Sequence, residues 1–400
     1  MRRAFNHTVT GIHNRLTILN QIRLSPGITR KELSEKFGLT KAAITKIISN
    51  LLKKGYIYQS KSTTNRNIFH LFVNNKKIFT IGLSCDLNEI QGTIVDFEGT
   101  VVEHISKELG EDQCTAQDYL KALTIIYKDL MSIIDKEIEP IAIGLAAMGP
   151  LDVLNGKIFL HSNNPSWSQT NFVDELSKLC KLPVYLEKNF TAAAFHEIWT
   201  GTALKYKSVM YLFLGHGVGG SFIFDNKIYR GSLQNAGEIG HHIVVPNGLQ
   251  CICGRKGCLE QYLSFDRIQK NMSVNPNYEN LVSLFNTRDS FFMDWIKESS
   301  HLLLKVISDV SNLLDLDCVM LSGRFPNSVL EYFASYLTTH VSDLSMKGKI
   351  NKIDFKVVQQ RYQPSLGAAL IPMCELLNSG VMSNNTEKYA EILEGVILND

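Results

Sequence analysis

The sequence lacks the features that mark membrane and secreted proteins. Apolar stretches such as Leu145–Met148 are far too short to span a bilayer, which takes about 20 residues. The chain opens with polar residues after Met1-Arg2-Arg3, and no signal peptide is visible. Five cysteines are scattered, as is typical of core residues in a reducing compartment and not of a disulfide framework: Cys85, Cys114, Cys180, Cys318 and Cys374. We therefore expect a cytoplasmic protein with no membrane partner.

Acidic residues are almost missing from the first 77 positions. This segment holds 15 lysine and arginine residues against the two acidic residues Glu32 and Glu35, which gives it a formal charge of +13. Because the whole chain has a net charge of +2, the remainder carries −11. A basic segment on an acidic body indicates a polyanionic partner for that segment alone.

The same segment has the helix pattern of a DNA-binding head. Apolar residues at helical spacing predict a helix over Asn14–Arg23, and a capping box at Thr29–Glu32 begins a second. After a turn at Gly38-Leu39, Thr40 caps a third helix that extends to about Lys54. This order is that of a helix-turn-helix, whose second helix enters the major groove, with a generic three-helix bundle as the alternative.

Two strands predicted at Tyr56–Gln59 and Ile68–Val73 add a wing around a polar turn. Basic side chains would hold phosphates, and short side chains would let the helix approach base edges. The predicted DNA contacts are Lys41, Ala42, Thr45, Lys46 and Ser49 on the third helix, and Lys61 and Arg66 on the wing.

From Phe79 onward, strand and helix patterns alternate as in an α/β fold. The strand–turn–strand units at Phe79–Phe97 and Val209–Phe224 share one layout, which predicts two duplicated lobes that close on a ligand. We place a winged helix in residues 1–77, a small lobe in 78–200 completed by a C-terminal helix in 379–400, and a large lobe with a dimerisation surface in 201–378. Separate helices are predicted over Ser283–Trp295 and Leu302–Leu314.

A cysteine cluster follows a histidine in the large lobe. Cys251, Cys253 and Cys258 lie within eight positions, starting ten residues after His241. Thiolates and imidazole are the ligands of a closed tetrahedral zinc site, so the spacing predicts structural zinc, with a redox pair of Cys251 and Cys253 as the alternative. Two carboxylates bracket the cluster and are well placed to grip a hydroxylated ligand: Glu238 and Glu260.

The element Glu238-Ile239-Gly240-His241, together with the cysteine cluster that follows it, resembles the ROK family of sugar kinases and sugar-responsive repressors. The resemblance covers essentially the whole chain and implies a winged helix-turn-helix followed by a two-lobed, actin-like (RNase H-like) sugar-kinase fold. It implies zinc on His241 and the three cysteines, with His242 as the competing ligand. The predicted ligand-binding residues are Asn164, Lys188, Asn189, Glu238, His241 and Glu260.

Departures from the kinase pattern concern the catalytic residues. Kinases of this family have an Asn-Asp pair before the alanine-rich helix, and its aspartate is the general base. Here the pair is Lys188-Asn189, and an amide cannot take that proton. The first phosphate loop, Ser84–Asn88, has lost its glycines, the second contains His216, and the third is reduced to Ser322–Arg324. These changes favour a sensor that kept the sugar pocket and has no catalytic residues.

We therefore expect a repressor that binds operator DNA as a homodimer or dimer of dimers and responds to a sugar or sugar derivative. An active ROK-type kinase that phosphorylates a hexose with ATP is the alternative. A zinc hydrolase fits less well, because four protein ligands leave no place for water on the metal. Lys188 would favour an anionic ligand such as a sugar phosphate or sugar acid, unless it points to solvent or pairs with Glu187.

Overall fold

The structure is a computed structural model. It describes residues 7–62, 68–86, 89–110, 115–159, 165–272, 274–344, 352–358 and 363–377. The chain divides into two compact units, Met1–Trp199 with Pro364–Asp400, and Thr200–Gln363. Among the described helices, none combines the length and the apolar character needed to cross a bilayer.

The first unit begins with a winged helix. Its elements are α1 His7–Leu24, β1 Ile28–Thr29, α2 Arg30–Phe37, α3 Lys41–Lys53, β2 Ile57–Lys61 and β3 Phe69–Val73. The strands pair antiparallel in the order β1-β3-β2. The predicted capping box is present, because the Thr29 hydroxyl accepts from Glu32 N and Thr29 N donates to the Glu32 carboxylate at 2.8 Å. Helices α1 and α3 pack on each other through buried aliphatic side chains such as Leu19, Ile22 and Ile48.

A mixed sheet with helices forms the rest of the first unit up to Trp199. Its elements are β4 Phe79–Cys85, β5 Glu89–Asp96, β6 Val101–Glu108, α4 Ala116–Ile133, β7 Pro140–Ala147, β8 Leu151–Asp152, β9 Lys157–Ile158, α5 Pro165–Gln169, α6 Phe172–Cys180, β10 Val184–Lys188 and α7 Asn189–Thr200. In the described part of this sheet the order is β10-β7-β4-β5-β6, with β4, β7 and β10 parallel and β5 and β6 antiparallel to their neighbours. Helix α7 begins at the carboxyl end of β10, so Lys188 and Asn189 lie at the sheet edge where α/β folds bind ligands.

The second unit repeats this arrangement. Its elements are β11 Ser208–Leu214, β12 Val218–Phe224, β13 Lys227–Tyr229, α8 Glu260–Leu263, α9 Phe265–Met272, α10 Tyr278–Asn286, α11 Ser290–Leu314, β14 Cys318–Gly323, α12 Asn327–His340 and β15 Asp354–Val357. The strand order is β13-β12-β11-β14-β15, again an antiparallel meander followed by two parallel strands. The predicted duplicated α/β fold is confirmed.

The predicted helices Ser283–Trp295 and Leu302–Leu314 were wrong in their limits. Arg288 has a left-handed backbone with φ of 51°, and Asp289 caps a new helix by accepting from Phe292 N at 2.9 Å. From there α11 runs without a break to Leu314, and Ser300, between the two predicted helices, donates its hydroxyl to Ile296 O at 2.7 Å within the helix.

The chain returns to the first unit through α13, Gln363–Leu377. This helix lies directly on the first sheet, since a Cβ at Gly82 or Gly144 would collide with the α13 backbone, and Thr80 donates to Ala369 O at 2.6 Å. The boundary predicted at residue 378 had assigned this segment to the large lobe, whereas its packing assigns it to the small one. The C-terminal helix predicted in 379–400 lies outside the described residues.

Candidate DNA-binding surface, metal cluster and ligand residues

Helix α3 presents two chemically different faces. Ile44, Ile48 and Leu51 are buried in the head. Its opposite face is exposed and carries the predicted DNA contacts Lys41, Ala42, Thr45, Lys46 and Ser49. Thr40 caps the helix by accepting from Ala43 N at 3.2 Å. The buried residues Ile44, Ile48 and Leu51 therefore fix the position of α3, and with it the position of the exposed face.

The wing contributes one described basic residue. Lys61 is exposed at the end of β2, where it pairs with Phe69 of β3. Arg66 lies outside the described residues.

Four side chains in the second unit converge on one point. The ligand atoms of His241, Cys251, Cys253 and Cys258 all lie within 4.8 Å of one another. His241 Nδ1 is 3.5 Å from Cys251 Sγ, and Cys253 Sγ is 3.6 Å from Cys258 Sγ. The edges of a tetrahedron with metal–ligand bonds of about 2.0–2.3 Å are about 3.3–3.8 Å long, and both measured separations lie in that range, so the donor set could hold a zinc ion.

His242, the competing ligand, lies elsewhere, with Nε2 3.6 Å from Asp309 Oδ2. None of the seven described cysteines forms a disulfide, so the structure holds the Cys251 and Cys253 thiols as separate groups. Gly257 permits the tight loop, because its φ is 81° and a Cβ would strike Val245 O.

Residues outside the histidine–cysteine motif also contact the cluster or the loop around it. Burial raises the pKa of the Cys253 thiol, but hydrogen bonds from Arg255 and with the two other thiols outweigh burial, and the net effect lowers this pKa to about 6. Gln261 Nε2 lies 3.7 Å from Cys251 Sγ, and Tyr262 accepts from Leu249 N at 2.9 Å. A single sequence gives no signal for Arg255, Gln261 or Tyr262 in these roles, because their contacts depend on how the loop closes.

The two carboxylates beside the cluster differ in environment. Glu238 is exposed, whereas Glu260 opens α8 and accepts from Val218 N at 3.1 Å through Oε2. Burial raises the pKa of Glu260, opposed by that hydrogen bond and by nearby His241. Glu238, His241 and Glu260 thus lie together in the second unit.

Lys188 and Asn189 lie in the first unit. Lys188 is 3% exposed, with its ammonium 5.1 Å from the centroid of the Phe190 ring, which excludes the alternative that it points to solvent. Asn189 is 8% exposed, and its Oδ1 is buried with no hydrogen-bond partner in the described part of the chain. Asn164 lies outside the described residues.

Local contacts fill the loops that stand where the family resemblance places the kinase phosphate loops. In the second loop, Gly215 N donates to Gly217 O at 3.0 Å, and the His216 ring packs edge-on against Phe265. From the third loop, the Arg324 side chain covers Gly215, since a Cβ there would lie 3.5 Å from three of its carbons. In the first loop, Asp86 N donates to Glu89 O, while Leu87 and Asn88 lie outside the described residues.

The chain matches two family models and several characterised proteins. The MarR family model matches residues 13–68. The chain is 25% identical over 342 residues to a protein named xylose repressor from Bacillus subtilis (strain 168), covering 84% of this chain and 87% of that protein. It is 28% identical over 229 residues to a protein named glucokinase from Halalkalibacterium halodurans, covering 51% of this chain and 69% of that one.

A crystal structure also shares the fold. It is of a ROK family transcriptional regulator described as a homologue of the E. coli MLC protein, and it covers 98% of this chain and 100% of its own with a TM-score of 0.79 and 20% identity. The ROK family model matches residues 80–371, which is well over half of the sequence. The chain therefore belongs to the ROK family.

Proposed function

We propose that this protein is a sugar-responsive transcriptional repressor whose kinase-like body binds its effector without phosphorylating it. The proposal is carried by a basic winged helix joined to a ROK body in which an amide, Asn189, stands where the family resemblance places the kinase base. The similarity to a protein named xylose repressor over 84% of the chain supports it.

The head supplies the DNA-binding part of the proposal. Its +13 charge and the exposed basic face of α3 suit contacts with phosphates, while Ala42 and Ser49 leave room beside base edges. One winged helix contacts too little DNA for useful specificity, so we infer that two chains bind a two-fold symmetric operator.

The ligand residues proposed from the sequence are assigned within each unit. We assign Asn189, with Lys188 and Asn164, in the first unit, and Glu238, His241 and Glu260 in the second. The buried Asn189 Oδ1 would accept a hydrogen bond from a sugar hydroxyl, which would remove the cost of leaving that atom unpaired. Glu260 has one oxygen held by Val218 N, which orients the carboxylate toward a ligand hydroxyl.

We infer that phosphoryl transfer is lost. A positioned general base contributes about 10²–10⁴-fold to a proton-transfer step, and Asn189 cannot act as one. Phosphoryl transfer otherwise depends on positioned phosphates, yet Val218 N already donates to Glu260 and Arg324 covers Gly215.

We infer that the cluster of His241, Cys251, Cys253 and Cys258 holds a structural zinc ion. The spacing of the four donor atoms fits it, and four protein ligands leave no open position for chemistry. With Nδ1 of His241 directed at the cluster, Nε2 remains to hydrogen-bond a sugar hydroxyl. The ion would thereby fix the segment that runs from Glu238 to Glu260 at the start of α8.

A buried lysine in the ligand set would favour an anionic effector. We therefore propose that Lys188, at 3% exposure, strengthens binding of a sugar phosphate or sugar acid over the neutral sugar. Calorimetry with D-xylose, D-xylonate and D-xylose 5-phosphate compares the classes directly. Equal affinities for all three would remove the anion preference and leave the sugar-binding proposal intact.

The repressor proposal is tested by two assays on the full chain. A thermal-shift screen of sugars, sugar phosphates and sugar acids should find an effector, and that compound should change the affinity for a duplex selected by the protein from a random library. An ATP-dependent phosphorylation assay over the same compounds should show no turnover. Turnover that Asn189→Ala abolishes would establish the kinase alternative, in which the DNA-binding head is incidental or regulatory.

A further inference from the structure

Arg23 and Trp199 join the DNA-binding head to the ligand-binding part of the first unit. Arg23 lies in the last turn of α1, and its Nη1 donates to Trp199 O at 2.8 Å. Its guanidinium carbon is 3.7 Å from the centroid of the Trp199 ring, at the end of α7. Neither residue belongs to the DNA-binding or ligand-binding sets assigned above.

The contact is buried and directional. Burial lowers the pKa of Arg23 to about 10, against the opposing effect of Cys374 and Glu98, so the guanidinium still carries its charge at neutral pH. Arg23 Nε also donates to Asn20 Oδ1 at 3.1 Å, which fixes the plane of the group. A desolvated cation that stacks on an indole and donates to a carbonyl favours one geometry strongly.

The Trp199 indole is held against the turn that follows β5. Phe97 meets its ring edge-on with centroids 5.9 Å apart. A Cβ at Gly99 would lie 2.8 Å from Trp199 Cδ1, so the strand turn is in close contact with the indole. A displacement of α7 must therefore move the indole or break these contacts.

Helix α7 connects this contact to the ligand residues. It starts at Asn189, whose Oδ1 is buried without a described partner, and ends where the chain passes from the first unit to the second at Trp199–Thr200. Its 12 residues span about 18 Å as one rod. Gly367 of α13 allows close backbone contact with Ala192, which limits bending of the rod.

The other partner, α1, moves with the head. Leu16, Leu19 and Ile22 are at most 3% exposed, and α1 packs against the recognition helix α3. A change in the position of Arg23 is thus a change in the position of α3 relative to the sheet of the same unit.

We propose that the Arg23–Trp199 contact couples effector binding at Asn189 to operator binding at α3. A sugar that prefers one placement of α7 shifts the head through this contact, because a ligand changes an equilibrium only by its different affinity for the two states. The inference rests on the proposed function, since it requires a sugar at one end of α7 and DNA on the head.

Two substitutions test the coupling without touching either set of binding residues. Arg23→Gln removes the cation, and Trp199→Leu removes the indole while keeping the backbone acceptor. Arg23→Lys and Trp199→Phe are the conservative partners. Trp167→Phe is the matched control, because Trp167 is fully buried in the same unit against Tyr119 and Phe172.

Operator affinity is measured by fluorescence anisotropy on the selected duplex, with and without D-xylose, and D-xylose affinity by calorimetry. In the wild type the sugar should change operator affinity by a factor of about 5–150, the usual range of allosteric coupling. Arg23→Gln and Trp199→Leu should reduce that factor to below about 2 while both proteins still bind sugar and DNA separately. Trp199→Phe should restore part of the factor, and the control should keep it.

A wild-type factor in Arg23→Gln and Trp199→Leu would overturn the inference and leave the proposed function standing. An equal loss in Trp167→Phe would also overturn it, since general destabilisation would then explain the effect. If D-xylose has no effect on the wild type, amide hydrogen exchange decides: Arg23→Gln should speed exchange along the whole of Asn189–Thr200. Faster exchange confined to Trp199 and Thr200 would show that α7 does not transmit the change.

Discussion

Asn189 combines a buried side chain with an oxygen that has no described partner. A buried polar atom without a hydrogen bond costs about 1–3 kcal/mol of folding stability. Such atoms are rare in native proteins and often mark a place where a ligand or water completes the hydrogen bond. At the residue scale, this oxygen is the strongest structural support for a hydroxylated ligand in the first unit.

Asn189→Leu should therefore separate ligand binding from folding. Leucine branches at Cγ like asparagine and has the same number of side-chain heavy atoms, and removal of an unpaired buried oxygen offsets the cost of fitting its larger side chain, so the midpoint of thermal unfolding should move by less than about 4 °C. Sugar affinity should fall about tenfold or more, because the hydroxyl loses its acceptor. Calorimetry and differential scanning calorimetry measure the two quantities.

Asn189→Asp is the matched variant for this position. It keeps the acceptor and the shape, so sugar binding should persist, and the degenerate phosphate loops should still prevent turnover. Unchanged sugar affinity in Asn189→Leu would remove Asn189 from the ligand set.

At the element scale, much of the loop that carries the candidate metal cluster is exposed between the buried Cys251 and Cys258. Ile252 is 92% exposed and Cys253 is exposed, while short backbone hydrogen bonds such as Val244 N to Gly257 O hold the turn. A loop of this kind depends on its cross-link, because it buries too little apolar surface to order itself.

Cys253→Ser should lose zinc and weaken sugar binding together. An exposed position adds little to packing, so the change isolates metal ligation. Zinc affinity should drop by more than about tenfold, the lower end of the losses seen when even outer contacts of a metal site are removed. Metal analysis of the purified protein and sugar calorimetry provide the measurements.

Ile252→Ser is the control for that experiment, since it introduces the same side chain next to Cys253 at a position that holds no ligand. It should retain zinc and sugar binding. Normal sugar affinity in a zinc-free Cys253→Ser protein would show that the cluster does not position Glu238 and Glu260.

At the scale of the whole molecule, the DNA-binding head and the rest of the chain carry charges of opposite sign. The first 77 residues carry +13 and the remainder −11, so DNA is attracted to one end of the chain and repelled by the rest. Operator affinity should consequently depend strongly on salt, whereas affinity for a neutral sugar should not.

Lys46→Glu should reduce operator affinity by at least about tenfold and lower the salt dependence, with each lost phosphate contact reducing the logarithmic slope by about 1. Anisotropy titrations at several salt concentrations measure both. Lys270→Glu, the same change at an exposed position in the second unit, should leave both unchanged. Operator binding by Lys46→Glu with wild-type strength would assign the DNA to another face.

Local patterns were sufficient for most of the elements. Thr29, Glu32 and Thr40 predicted the helix starts of the head, because capping acts within one turn. Strand β4 has the limits predicted for it, and the His241–Cys258 spacing indicated the cluster because its ligands lie on one short loop. The limits of α11 could not be predicted in this way, since the left-handed Arg288 separates two helices with similar apolar patterns.

The sequence by itself determined the fold class and the basic head, and it predicted the metal ligands and the amide at the position of the kinase base, since each depends on residue type and short spacing. Only the tertiary structure decided that α13 packs on the first sheet, that Asn189 Oδ1 is buried unpaired, and that Arg23 stacks on Trp199. Those facts join positions up to 289 residues apart, as in the bond from Thr80 to Ala369. Contacts at such separations are set by how elements pack, and no local pattern encodes them.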